Sequence, residues 1–435
     1  MWKLVLIVVA ALRVEPHTSL PANTSGIFFL AAQTFPSWRT CAVIAKGLND
    51  QLLMDNQVRK GLITWRITPM TKRIAILTGK RGGYDAMLPL MRSLQDADWC
   101  HLTVLACDQH LYEKFGSTVD TIEQEPFEVV RLRMSQAEDT KESRCLAMAQ
   151  MMSSLTAWVN GNPIDYLVVF GDRLESLTAA QVAHCFNIPI VHIQGGDKTG
   201  TQDDQTRWAI TELASHHLVS NMNALVAVNQ RRRRFPARCV GDLHVDNLLA
   251  KVASPVEVQE FLGFLPVNFF LGLFHPDTRV PSLAPLQINN ILNGVDRYRG
   301  ALHPSKAIWV YPCTDIGHEG ILTALDHWGR KDNNYVYSNI PHDIFLWLLY
   351  ETKCLVGNSS AGIIEAPYTN TWAVDVGDRQ LGRVKDNNII SAAPSAKDVC
   401  RAVRLACEAA ESPVCQQLYG DGRATEMVFA YLEVL

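Results

Sequence analysis

Lys353-Cys-Leu-Val-Gly-Asn-Ser-Ser-Ala-Gly-Ile-Ile-Glu-Ala-Pro367 decides how this chain folds. A short apolar run stops at Gly357, small residues follow, and a helical stretch begins at Ala361. An apolar run bounded by glycine reads as a buried strand. A strand feeding a helix through a tight turn is the repeating unit of parallel α/β sheets. Backbone N–H groups at the helix start, with the hydroxyls of Ser359 and Ser360, suit a diphosphate. Gly362 has no Cβ and lets a ligand approach the backbone. Glu365, six residues after Ser359, places a carboxylate where ribose hydroxyls can donate to it. The next apolar run, Trp372 to Val376, ends in Gly377-Asp-Arg-Gln-Leu-Gly-Arg383 and brings Arg379 and Arg383 toward the same anion. A capped small-residue turn would account for Asn-Ser-Ser-x-Gly by itself, but not for the glutamate and the arginine-rich loop that follow.

Working outward, the same strand–turn rhythm recurs. Phe269 to Phe274 ends at His275-Pro276, and Ala307 to Tyr311 ends at Pro312. Upstream, Ile74 to Thr78 precedes Gly79, His101 to Ala106 is a second run, and Tyr166 to Phe170 ends at Gly171-Asp172-Arg173. Ile188 to Ile193 ends at Gln194-Gly-Gly. Helical stretches are expected over Tyr84–Leu94, 139–160 and 174–186. Short buried strands alternating with helices predict parallel sheets. The expected architecture is α/β, with two Rossmann-like domains over residues 70–250 and 251–435 and the last helix packing back on the first. In such sheets ligands bind beyond the carboxyl ends of the strands, and a cleft between two of them suits a nucleotide sugar.

Composition narrows the function classes. The chain has 435 residues, 48% of them hydrophobic and 19% charged, with a net charge of -4. That is an ordinary globular balance with room for a large core. It lacks the clustered basic excess of a nucleic-acid-binding surface; the run Arg231 to Arg234 reads as a solvated helix end. The 11 cysteines are odd in number and none are spaced C-x-x-C, which argues against a disulfide framework and against zinc. Free thiols in a reducing cytoplasm follow, with no metal and no cofactor expected. Leu4 to Leu12 is too short to span a bilayer. Residues 1–69 are expected outside the fold, because Met70-Thr-Lys-Arg-Ile74 reads as a natural start before the first strand.

Two further constellations sit at strand ends. Thr78-Gly-Lys-Arg-Gly-Gly-Tyr84 offers Arg81 as a phosphate ligand across the cleft. The other is acidic: Asp172, Arg173 and Glu175, then His192, Gln194 and Asp197, then Asp203, Asp204 and Arg207. Asp203 and Arg207 are four apart and are expected to pair on one helix face. His275 and His318 are expected on loops of the second domain. Converging carboxylates and an imidazole supply what proton abstraction and leaving-group protonation require, and crowded carboxylates shift one another's pKa values.

Taken together the motifs resemble the hydrolysing UDP-N-acetylglucosamine 2-epimerases from about Lys72 to the C-terminus. They are Thr78-Gly-x-Arg81, Phe115-Gly-x-Thr118, Gly171-Asp-Arg-x-Glu175, His192-Ile-x-Gly-Gly-Asp197, Asp203-Asp-x-x-Arg207, His275-Pro-x-Thr278, Tyr311-Pro-x-x-Asp315, Val356 to Pro367, Gly377-x-Arg-Gln-x-Gly-Arg383 and Tyr419-Gly-Asp-Gly422. The resemblance implies a glycosyltransferase-B-like fold with a UDP-sugar in the cleft. It implies loss of the sugar C2 proton as UDP leaves C1, then hydration of the glycal to free N-acetylmannosamine. Arg81, Ser359, Ser360 and Arg379 correspond to a diphosphate grip, and Glu365 to a ribose contact. Asp172, Asp203, Arg207 and His275 correspond to the acid–base and sugar-contact set, with Arg173 and His192 in support. A cytoplasmic homo-oligomer, dimer or tetramer, with no nucleic-acid or membrane partner is expected. The chain departs from better-known members at Gly83, where they carry an acid, at Gln194, where several carry a candidate catalytic glutamate, and at Trp208, where a histidine is usual. Gln194 cannot act as a base, so Asp197 or Asp203 is expected to cover the chemistry, and Trp208 is expected to reshape the sugar pocket. The departures leave open a UDP-diacetamido-trideoxyhexose as substrate, a glycosyltransferase, or a binding protein without catalysis.

Overall fold

The computed structural model describes residues 71–231, 235–250, 252–302 and 305–435. The expectations for residues 1–69, and for most of the basic run that starts at Arg231, lie outside them. Seven parallel strands form the first sheet: β1 (Lys72–Thr78), β2 (Cys100–Ala106), β3 (Glu128–Arg131), β4 (Tyr166–Phe170), β5 (Ile190–Ile193), β6 (His216–Val219) and β7 (Arg238–Cys239). Their spatial order is β3-β2-β1-β4-β5-β6-β7. Six parallel strands form the second: β8 (Phe269–Leu273), β9 (Lys306–Val310), β10 (Asn334–Tyr337), β11 (Leu355–Gly357), β12 (Ala373–Val376) and β13 (Ile389–Ala392). Their order is β10-β9-β8-β11-β12-β13.

The central strands are buried on both faces, and so their sequences read as unbroken apolar runs. From Ile74 to Thr78 every residue of β1 is buried. The sequence reading did not single out β3, β6, β7, β10 or β13. Glu128-Val-Val-Arg131 at the sheet edge is partly exposed along its length. β6 is fully buried, but two histidines interrupt its apolar pattern. Between the sheets Ser254 starts the helix Pro255–Leu262 with a capping box: its hydroxyl accepts from Glu257 N at 3.3 Å and its own N–H donates to the Glu257 carboxylate at 2.7 Å.

Both sheets reverse strand order beside their first strand. β1 pairs with β2 on one side and β4 on the other; β8 pairs likewise with β9 and β11. The crevice at such a reversal is where an open parallel sheet presents its loops to a ligand. Gly357 closes this geometry at the end of β11. Its φ is +149°, and a Cβ there would collide with the Leu273 carbonyl at the end of β8. The C-terminal helix Ala424–Val434 returns to the first sheet, where Val428, Tyr431 and Leu432 join the core with Leu90 and Leu94. Tyr431 Oη meets His216 Nδ1 at 2.9 Å. Among the described residues no helix is long and apolar enough to cross a membrane.

Candidate active site

The loops after β1 and β4 face those after β8, β9, β11 and β12 across a cleft with two connected parts. The larger, ≈ 340 Å³, is lined by Asp172, Arg173 and Asp203 from the first sheet and by His275, Asp315 and Arg379 from the second. The smaller, ≈ 130 Å³, is lined by Arg81, Asp85, His244, His342, Ser359 and Glu365, among others. Lys80, His275, Cys313 and Ser360 line both parts and mark where they join.

Asn358 organises the second-sheet side. Its side-chain oxygen accepts from His275 N at 2.7 Å and its amide donates to the His275 carbonyl at 2.8 Å, tying the β8 loop to the β11 loop. Its own carbonyl accepts from Gln380 Nε2 at 3.0 Å and Arg379 Nη1 at 3.2 Å, which adds the β12 loop. His275 is buried, and its Nδ1 accepts the Cys313 N–H at 3.2 Å. Burial, and then the Arg379 charge, hold its pKa well below the ordinary histidine value. The ring is therefore neutral, and with Nδ1 accepting, its proton sits on Nε2 as a donor.

The acids of the larger part are unequal. Burial works against ionising Asp172, but Arg207 pairs with it and, with Lys80 and Arg383 behind, holds its carboxyl well below the usual range. Burial likewise opposes Asp315, but Arg173 pairs with it and holds it low. Asp203 moves the other way. Burial and the Asp172 charge raise its pKa, opposed by Arg379 at 3.9 Å. Arg173 also joins a buried network behind the cleft: it reaches Asp108 at 3.3 Å and Glu175 at 3.0 Å, and Arg144 reaches the same two acids at 2.8 Å and 3.1 Å. Thr314, from the second sheet's β9 loop, donates to Asp108 at 2.9 Å.

The expected residues divide. Asp172, Asp203, His275, Arg81, Arg173, Ser359, Ser360, Glu365 and Arg379 all line the cleft. Arg207 does not. It has no exposed surface and points away from Asp203, toward Asp172, Asp204 at 3.0 Å and the Asp197 carbonyl at 2.8 Å. Asp203 and Arg207 do share one helix, yet three other acceptors hold the guanidinium. His192 is fully buried between the Gly171 carbonyl at 2.7 Å and the Thr211 hydroxyl at 3.1 Å, and burial lowers its pKa to about 3. Gln194 turns back, at φ +66°, to donate to buried Asp242. Asp197 is buried against Ser220, Asn221 at 2.7 Å and Arg383 at 3.0 Å. That pair bridges the loops of the two sheets, and Arg383 is not among the residues that line the cleft. Gly362 serves packing: a Cβ there would lie 3.1 Å from Ala373 Cβ on β12. The helix it belongs to, Ala361–Ile364, is four residues long and tightens into the 3-10 turn Ala366–Thr369.

The departures also resolve by position. Trp208 lies under the Arg231 guanidinium, 4.0 Å from the ring centre, outside the cleft lining where it was expected. Gly83 is buried, and a Cβ there would make ordinary van der Waals contact with Lys80 at 3.6 Å and Phe170 at 3.8 Å. The acid of this turn is Asp85, two residues on, which lines the smaller part of the cleft; burial raises its pKa. Sequence reasoning missed Asp85, Lys80, His244 and His342 as cleft residues. His342 lies 3.6 Å from Glu365. Its place at the start of a helix after β10, itself unseen in sequence, left no signal to follow. His318, expected on a loop, begins the helix His318–Trp328 and pairs with Asp139 at 3.3 Å.

Two Rossmann-like sheets presenting their reversals to one cleft define a glycosyltransferase-B-like α/β protein. The chain belongs to the UDP-N-acetylglucosamine 2-epimerase family, whose sequence profile matches residues 92–433. It is 29% identical over 340 residues to the UDP-N-acetylglucosamine 2-epimerase of Neisseria meningitidis serogroup B, covering 77% of this chain and 88% of that one. It is 25% identical over 375 residues to the hydrolysing UDP-N,N'-diacetylbacillosamine 2-epimerase of Legionella pneumophila, covering 84% and 97%. The fold matches the crystal structure of Methanocaldococcus jannaschii UDP-GlcNAc 2-epimerase in complex with UDP-GlcNAc and UDP, with a TM-score of 0.72 at 15% identity, over 83% of this chain and 100% of that one.

Proposed function

We propose that this chain is a hydrolysing UDP-N-acetylglucosamine 2-epimerase. The observation that carries the reading is the unequal acid pair. Asp203, with a raised pKa, shares the larger part of the cleft with ionised Asp172, next to the junction lined by Ser360 and His275. A group whose pKa rises toward working pH is suited to give and take protons, whereas one held low is suited to remain a charge. In this reading the UDP half lies in the smaller part. Glu365 accepts from the ribose, and Arg81, Ser359, Ser360 and Arg379 hold the diphosphate. His275 donates its Nε2 proton at the junction. The C2–H proton passes to a carboxylate, the C–H electron pair becomes the C1=C2 bond, and the C1–O pair leaves with UDP. Water then adds hydroxyl at C1 and a proton at C2 on the opposite face. The balance is UDP-N-acetylglucosamine plus water giving N-acetylmannosamine plus UDP. The names of the Neisseria and Legionella relatives support this class, and the Legionella name points to a diacetamido sugar as the second substrate to try.

The test is incubation with either UDP-sugar in deuterated water, followed by NMR. Free N-acetylmannosamine, or the corresponding free diacetamido sugar, with deuterium at C2 is the expected product. An epimerised sugar still attached to UDP would replace the hydrolysing reading with a non-hydrolysing one, and binding without turnover would sink the catalytic reading. Glu365→Ala is expected to weaken UDP by roughly 10- to 100-fold, the scale of losing hydrogen bonds to a charged group. Titration calorimetry reads this, and an unchanged affinity would remove Glu365 from the ribose site.

A further inference from the structure

We infer that Lys80 is the cation that takes up the negative charge released on the diphosphate when the sugar leaves; the inference rests on the proposed function. Lys80 follows β1 at the sheet's reversal and is the extended residue before the helix Arg81–Gln95, with its side chain making no cap. It is one of the residues shared by both parts of the cleft, with His275, Cys313 and Ser360. A UDP-sugar spanning the two parts must therefore pass its diphosphate beside it.

The other cations near this junction already have partners. Arg173 is paired with Asp315, Glu175 and Asp108. Arg81 donates to Asn339. Arg379 donates to the Asn358 carbonyl and faces Asp203. Lys80 has no hydrogen bond from its ammonium and no ion pair within 4.0 Å among the described residues. Its charge nevertheless acts on the site, lowering the pKa values of both Asp172 and His275.

Elimination makes that position matter. The diphosphate of a UDP-sugar is a diester, and when the C1–O electron pair departs with it the diphosphate gains one negative charge. A flexible ammonium with no competing partner can approach that charge as it forms. An interaction made more strongly in the transition state than in the ground state accelerates the step. Lys80 moves no proton in this account.

The experiment compares wild type, Lys80→Met and Lys80→Arg for binding of UDP, UDP-N-acetylglucosamine and uridine, and for kcat and KM. Lys80→Met is expected to weaken UDP roughly 10- to 100-fold and the UDP-sugar less. Uridine binding should not change, and kcat should fall roughly 10²-fold. Lys80→Arg should recover much of both losses. Equal binding and turnover in Lys80→Met would overturn the role of Lys80 while leaving the proposed function intact. Parallel loss of UDP and uridine would mean a structural role and would also overturn it. If wild type binds no UDP, this inference and the proposed function fall together.

Discussion

Asp203→Asn is expected to abolish turnover while leaving UDP affinity close to wild type. Asparagine keeps the size and the hydrogen-bonding shape but cannot take a proton at any working pH. Removing a positioned general acid–base group costs roughly 10²–10⁴ in kcat. Asp203 lies in the larger part of the cleft, whereas Glu365, the proposed ribose contact, lines the smaller, so the loss should fall in kcat rather than in UDP binding. The pH dependence has a definite sign. A base must be ionised to accept the C2 proton, so kcat/KM falls as pH drops through its pKa. Because burial and the Asp172 charge raise that pKa, the acidic limb lies above the value of an ordinary aspartate. A limb at the ordinary value, or an Asp203→Asn enzyme with wild-type kcat, would remove Asp203 from the chemistry.

Arg207→Met is expected to cost about 3–5 kcal/mol of stability and most of the activity. Arg207 has no exposed surface and supplies the positive charge for Asp172, for Asp204 at 3.0 Å and for the Asp197 carbonyl at 2.8 Å. Methionine fills much of the volume but leaves those acceptors facing an apolar chain. Removing one partner of a buried pair leaves an uncompensated charge, and that accounts for the size of the effect. Loss of Arg207 would also raise the Asp172 pKa, since this guanidinium is the strongest influence opposing the burial of that carboxyl. Thermal and urea unfolding with and without UDP would separate the effects. A variant that melts with the wild type would show that the Asp172–Arg207 pair contributes little to the fold.

The elements proposed to face the nucleotide were legible in sequence because they depend on local spacing. Gly357 to Glu365 lies within one strand–turn–helix unit, and Ser359, Ser360 and Glu365 line the cleft as that unit implies. The acid-rich stretch was harder to read. Asp172, Gln194 and Asp197 follow strand ends, His192 lies within β5 and Asp203 opens the helix Asp203–Leu213, and sequence offers no means of telling which side chains turn toward the cleft. Three of them turn away: His192 toward the Gly171 carbonyl, Gln194 toward Asp242, and Asp197 toward Arg383. In each case a buried polar group finds a partner inside the fold, where leaving it unpaired would be costly.

The sequence by itself determined the class of this protein. Its apolar runs, the turns that end them and the ordered motifs from Thr78 to Gly422 imply two parallel sheets with ligand loops at their carboxyl ends. Only the tertiary structure decided the membership of the site. Lys80 with Asp85, His244 and His342 come from three segments far apart in sequence, and strand order brings them to one cleft. The opposite pKa shifts of Asp172 and Asp203 were also a tertiary outcome. Each carboxylate has the same intrinsic chemistry; Arg207 against one and burial beside a like charge for the other set them apart.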